Sequence, residues 1–268
     1  MTARDAVFEI LAENLPGAGV RSAVEQLKKY AAEEFARRSL PCGGLEAYGT
    51  CRRLVLYAAG VPAGPQAKAL AEIFPLLLGR LEFPRALAWE PSGLRFPRPV
   101  RGLAALHGER LVAFSAAGLR SGRVTEGQEA LGPRQVKLAA AEKYFKALEH
   151  ASVLVQDARR LEAMRGALAA ASRRMKLEIE AGEDALGENL YLAEYPVPVV
   201  SAFSHEFLAL PAERLRACLR ELLFFPVSDA AGRLQPYFAA FRDGISKGQR
   251  NVEDGFRAAL ESRLQQIK

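Results

Sequence analysis

Between Arg80 and Arg101 the chain interleaves Arg80, Arg85, Arg95, Arg98 and Arg101 with Phe83, Trp89 and Phe96. A guanidinium pairs bidentately with a phosphate, and an aromatic face stacks on an unpaired base. The pattern therefore carries chemistry that suits a nucleic acid. A second explanation uses the same residues: the aromatics fill a core and the arginines are solvated strand edges. Arg159, Arg160, Arg165, Arg173 and Arg174 follow one another along a helical stretch as a second basic patch. Other chemistry is thin. There is no G-x-S-x-G, no phosphate-binding G-x-x-x-x-G-K and no G-x-G-x-x-G. The acidic pairs Glu33-Glu34 and Glu183-Asp184 read as solvated helix faces. No catalytic residue is assigned.

The elements that must hold these residues follow from hydrophobic period and turn chemistry. Val7–Leu11 alternates as a strand, and Val20, Val24, Leu27, Ala31 and Phe35 recur at helical spacing. Leu54–Tyr57 is a second strand, with Arg52 and Arg53 at its start. Leu70, Ile73, Phe74 and Leu77 mark a helix that Pro75 should kink or stop. From Leu81 to Val124 the texture is β, and a turn at Gly108 should pair Leu103–Leu106 with Leu111–Phe114. Strand alternation should bury Phe96 while Arg95 and Arg98 face water. Leu138, Ala141, Phe145 and Leu148 form one helical stripe, and Leu161, Met164, Leu168 and Ala171 another, with Ser152–Val155 between them as a buried strand. The helices of Val136–Met175 are expected to pack on the Leu94–Val124 strands. Further on, Ala185–Ala193 is helical, Val197–Phe203 a strand, Ala212–Glu221 a helix, and Phe224–Val227 with Tyr237–Phe241 a hairpin around Asp229–Arg233. Such alternation implies an α+β fold with mixed or antiparallel sheets and packed helices.

Composition narrows the class. A chain of 268 residues, 50% hydrophobic and 25% charged, can bury a sizeable core, and disorder is not expected. The net charge of +6 allows a polyanionic partner without requiring one. Three cysteines, Cys42, Cys51 and Cys218, lack paired spacing, and His107, His150 and His205 lie far apart. A disulfide framework, a metal site and a bound cofactor are therefore not expected. Met1–Asp5 opens no signal peptide, and no apolar run reaches membrane-spanning length, so no membrane association and a cytoplasmic location are expected.

The arginine-rich run also carries a resemblance. Leu94–Arg101, the Gly108-Glu109 turn and Gly118–Thr125 resemble, in order, segments of the bacterial glycyl-tRNA synthetase beta subunit. So do Glu9–Pro16, Cys51–Leu56, Ala193–Pro196 and Phe207–Glu213. The resemblance covers the front portion of that family, and Lys268 falls before its later helical and anticodon-binding domains would begin. It implies a domain similar to the editing-type domain of the phenylalanyl-tRNA synthetase beta subunit. The implied division is a 1–62 N-terminal α/β segment, a 63–250 editing-domain-like core and a 251–268 C-terminal helix. The implied role is non-catalytic: binding tRNA, with Arg52, Arg53, Arg95, Arg98, Arg101 and Arg123 as candidate contacts, or supporting the alpha subunit that carries the aminoacylation site. Departures from the family pattern leave two alternatives open. A segment expected after the Cys51–Leu56 strand is missing, since Gly60–Pro65 leads almost directly into the next helix. After Arg123-Val124-Thr125, where the family carries R-G-H-R-F, this chain reads Glu126-Gly127-Gln128-Glu129-Ala130, a reversal of charge. These changes suit a stand-alone, diverged module that binds a protein or small ligand without tRNA. An editing-type hydrolase is the third reading, and no residue specifically favours it.

Overall fold

In the computed structural model, which describes residues 3–245 and 247–268, strand β1 (Ala3–Ala12) runs through a five-stranded antiparallel sheet. The sheet order is β2 (Gly44–Gly49), β3 (Arg53–Pro62), β1, β6 (Val100–His107) and β7 (Arg110–Leu111). Around it stand helices α1 (Gly17–Arg37) and α2 (Leu70–Arg80) and three two-stranded ribbons. These ribbons are β4 (Leu87–Ala88) with β5 (Arg95–Phe96), β8 (Ser115–Ala116) with β9 (Leu119–Arg120), and β10 (Val124–Glu126) with β11 (Gln135–Lys137). Then come α3 (Tyr144–His150) and α4 (Asp157–Met175). A second, four-stranded antiparallel sheet has the order β12 (Glu178–Ile179), β14 (Phe225–Ser228), β15 (Leu234–Asp243), β13 (Pro196–Ala202). Helices α5 (Glu183–Asn189), α6 (Ala212–Glu221) and α7 (Gln249–Ile267) complete the chain. The fold is α+β with antiparallel sheets.

The chain divides into two compact units, Met1–Asp157 and Ala158–Lys268. This differs from the division drawn from the sequence, and the pairing explains why. Strand β1 pairs with β3 on one side and β6 on the other, so a boundary at residue 62 would cut through one sheet. The C-terminal helix is likewise no separate piece, because Leu260 and Leu264 are buried with Phe207, Leu215 and Phe238 in the second unit's core. Met1 and Thr2, where the reading of the amino terminus starts, lie outside the described residues.

The first unit's sheet is covered as alternation requires. Val7, Val55, Ala104 and Leu106 meet Leu138, Tyr144 and Leu148, while Phe8 stacks on Phe74 of α2 at 4.8 Å. Helix α2 continues through Pro75 to Arg80 instead of stopping. The proline forfeits one backbone hydrogen bond, but Leu77 and Leu78 beyond it are buried and hold the last turn. The turn at Gly108 closes a shorter hairpin than expected, with Leu106 opposite Leu111 and His107 opposite Arg110; Val112 N still donates to Ala105 O at 3.0 Å, but 112–114 leave the strand. Phe96 is buried, against Phe83 at 4.8 Å, and Arg95 and Arg98 are exposed.

Other expectations change. Ser152–Val155 forms no strand: Ser152 takes a left-handed turn, Leu148 O accepts from the amides of Ala151 and Val153 at 2.9 Å, and Val153 and Val155 are buried as coil. A short apolar run reads the same in either state. Of the Leu94–Val124 strands, β6 and β7 join the five-stranded sheet, whereas β5 and β9 lie in separate ribbons. Helix α3 lies against the first unit's core, and α4, from Ala158 on, belongs to the second unit. On α4 the buried stripe is Arg160, Met164, Leu168 and Ala171, one residue out of step at its start, with Leu161 half-buried. Arg160 donates from Nε to Leu190 O at 2.8 Å. The second basic patch thereby loses a member to the interior. Two more, Arg159 and Arg165, pair with Glu162 and Glu183.

A candidate nucleic-acid interface in the first unit

Arg52 and Arg53 are neighbours in sequence and opposites in the fold. The tight turn Thr50–Arg53 is closed by the Thr50 amide donating to Arg53 O at 2.9 Å, and Thr50 Oγ1 accepts from the amides of both arginines. Strand β3 begins at Arg53, whose side chain enters the core with 0% exposure. There Nη1 donates to Glu9 Oε2 at 3.2 Å and to Thr125 Oγ1 at 3.1 Å, and Nη2 donates to Glu126 O at 2.9 Å. The hydroxyls of Thr125 and Tyr144 donate to the two oxygens of the Glu9 carboxylate, which is itself buried. A buried charge is tolerated only when paired and hydrogen-bonded, and this network satisfies both Glu9 and Arg53. It ties β1, β3, β10 and the start of α3 together. Arg53 is a structural residue, and its guanidinium does not reach a ligand at the surface.

Arg52 takes the outer side. With Arg98, Arg101 and Arg134 it lines an open cleft of about 460 Å³ whose other walls include Glu13, Glu126, Gly127 and Glu129. Three of the six arginines singled out from the sequence are thus brought together here. Arg134 was missed: it lies in the loop before β11, far from the arginine-rich run, and no local pattern marks it. Arg98 donates from Nε to Asn14 O at 3.1 Å and has no ion pair among the described residues. The rest are matched by acids. Arg101 meets Glu13 at 3.2 Å, Arg52 meets Glu126 at 3.5 Å, and Arg134 meets Glu129 at 3.8 Å. These three pairs are partly or well exposed, so each is worth little and can open to a competing anion.

Gly127 sets the cleft floor. A Cβ there would meet Pro133 O at 2.4 Å and Ala151 Cβ at 2.8 Å, so glycine alone lets the β10–β11 loop pack this closely. Its carbonyl accepts from Arg52 Nη2 at 3.3 Å.

The remaining candidates stand apart from the cleft. Arg95 donates to Ala86 O at 2.7 Å beside a separate hollow, and Arg123 donates to Glu109 O at 3.0 Å. Arg80 is drawn to α1, where it pairs with Glu33 at 2.5 Å and Glu34 at 3.2 Å. Glu34 is buried and also bound by Arg37 and Arg38, so it is not the solvated helix-face residue its spacing suggested. Trp89 is exposed but uses its Nε1 on Phe96 O at 2.8 Å. Among the described residues no three His, Cys, Asp or Glu side chains gather as a metal site, and no helix is long and apolar enough to cross a membrane.

The family profile described as glycyl-tRNA synthetase beta subunit matches residues 6–69 and 61–267. The chain is similar to the glycine–tRNA ligase beta subunit of Desulforudis audaxviator, 35% identical over 201 residues covering 75% of this chain and 29% of that protein. That of Bacillus subtilis is 32% identical over 203 residues, covering 75% and 30%. With that of Moorella thermoacetica the identity is 28% over 324 positions, covering 98% of this chain and 47% of the relative. The chain spans less than half the length of these relatives. The last alignment is longer than the 268 residues of the chain, so the relative carries inserted residues here.

Proposed function

The chain belongs to the glycyl-tRNA synthetase beta subunit family, and from that membership we propose that it serves glycyl-tRNA charging as a non-catalytic, beta-subunit-like module that binds tRNA or supports the alpha subunit. The observation that carries the tRNA contact is the convergence of Arg52, Arg98, Arg101 and Arg134 on one open cleft. Phosphate oxygens would bind Arg98 directly and displace the exposed carboxylates from the other three, a geometry that fits backbone contact rather than base reading. Arg95 and Arg123 are outlying contacts on the same unit. The α+β make-up supports the further reading that the chain holds a domain similar to the editing-type domain of the phenylalanyl-tRNA synthetase beta subunit. The cytoplasm is the compartment this role requires. Glycine activation belongs to the alpha subunit in this reading, so the purified chain should show no glycine-dependent pyrophosphate exchange.

One observation favours a second reading, a diverged module that binds a protein or small ligand and no tRNA. Glu126 and Glu129, which stand where the resemblance implies basic residues, sit against Arg52 and Arg134 and neutralise them. A tRNA titration at low salt separates the two. The first reading expects binding that weakens when Arg52, Arg98, Arg101 and Arg134 become alanine and tightens in Glu126→Gln/Glu129→Gln. Absence of binding by both the native chain and the Gln variant would establish the second.

A further inference from the structure

A second cavity of the first unit, of about 700 Å³, opens between the start of β1, the β3–α2 connection and the β6–β7 hairpin. Its floor is apolar, from Ala63, Ala67, Ala71, Leu111 and Val112. Arg4, Lys68 and Arg110 line it, all three exposed, and among the described residues none of their side chains has a hydrogen-bonding or ionic partner. Glu109 is the one carboxylate among the described lining residues. The contrast with the arginine cleft is direct, since there Glu13, Glu126 and Glu129 answer three of four arginines.

The walls are built closely. Gly108 has φ +54°, and a Cβ on it would lie 3.2–3.4 Å from the stem of Arg4, so the hairpin turn and Arg4 share space that a side chain would take. His107 donates from Nε2 to Val61 O at 2.9 Å, which fixes the hairpin to the end of β3. Gly64, with φ +114°, turns the chain out of β3 into the short helix Pro65–Ala69 that carries Lys68. The two stretches of the family match overlap at 61–69, the segment that supplies Ala63, Gly64, Ala67 and Lys68. This wall is therefore where the chain departs from its family's continuity.

We propose that this cavity is a binding site for a small anionic ligand with an apolar body, its phosphate, sulfonate or carboxylate held by Arg4, Lys68 and Arg110 and its body laid on the alanine floor. The volume lies within the range of small-molecule sites, and unpaired cations above apolar walls recognise such an amphipathic anion. The site does not depend on the tRNA contact, which uses different residues.

The test uses the whole chain and 1-anilinonaphthalene-8-sulfonate, whose fluorescence rises when its rings leave water, with phenyl phosphate as competitor. Saturable binding at one site is expected, displaced by phenyl phosphate and far less by inorganic phosphate at equal ionic strength. Arg4→Ala/Lys68→Ala/Arg110→Ala should weaken it about tenfold or more, as lost charge-assisted contacts imply. These side chains are exposed, so the fold should survive. Ala71→Phe keeps every cation but fills the floor, and should also weaken binding, while Arg98→Ala/Arg101→Ala should leave it unchanged. Unaltered affinity in the triple variant would overturn the proposal. So would equal displacement by inorganic phosphate, or displacement of the dye by tRNA in the Arg98→Ala/Arg101→Ala variant, which would make the cavity a nucleic-acid contact.

Discussion

The Arg53 network and the Arg52 cleft begin one residue apart and obey different rules. Inside, one guanidinium meets one carboxylate, and every oxygen of Glu9 is also bonded to a hydroxyl or to Arg53. Outside, four arginines and three glutamates lie at a solvent-exposed cleft, paired at 3.2–3.8 Å without the added hydroxyl bonds of the inner site. The inner pair is costly to disturb because neither charge can return to water. The outer pairs are easy to open, which is what the proposed tRNA contact requires. Residue type alone does not separate a fastening from a contact; burial does.

The largest expected effect follows from the inner site. Arg53→Ala removes the ion-pair partner of the buried Glu9 carboxylate, and should lower unfolding free energy by about 3–5 kcal/mol in a urea titration. The double variant Glu9→Gln/Arg53→Met should recover part of that loss. A single variant as stable as the native chain would erase the distinction between the two sites. Phe96→Ala should cost a similar amount, about 3–5 kcal/mol, by emptying the pocket beside Phe83. Arg98→Ala, by contrast, should change stability by less than about 0.5 kcal/mol.

A smaller effect sharpens the same contrast in the second unit. Arg216 donates to both oxygens of Glu180 at 2.9 Å, and this hydrogen-bonded guanidinium holds the Glu180 carboxyl below its ordinary value of 4.5, against the opposing pull of burial. Because the folded value is depressed, the pair's contribution is fully present above 4.5 and is lost as pH falls through the folded value. Thermal melts of the native chain and Glu180→Gln between pH 6 and about 3 should therefore converge on the acid side. A constant gap between them would mean that the pair contributes nothing that titrates.

Much of the frame was legible in the sequence. Period-two alternation marks β1, the apolar run Leu54–Tyr57 marks β3, Gly108 marks a hairpin, and helix Ala212–Glu221 and the hairpin around Asp229–Arg233 appear where the pattern places them. What was hidden is long-range. That Arg53 turns inward depends on Glu9 and Thr125, 44 and 72 residues away. The unit boundary depends on which strands pair, and Arg134 joins the cleft only through the β10–β11 ribbon. In the same way Arg160, a basic residue in a helical basic run, is buried because α4 turns by one position. Local period assigns elements, whereas partners across the chain decide which charged residue lies inside.

If the cleft arginines meet a phosphate backbone as proposed, the salt dependence of tRNA binding measures that contact directly. With about four phosphate contacts, affinity should fall roughly a hundredfold between 50 and 200 mM salt, and the slope should flatten when Arg52, Arg98, Arg101 and Arg134 become alanine. Affinity that stays level across that range, or a slope that the four substitutions leave unchanged, would contradict it.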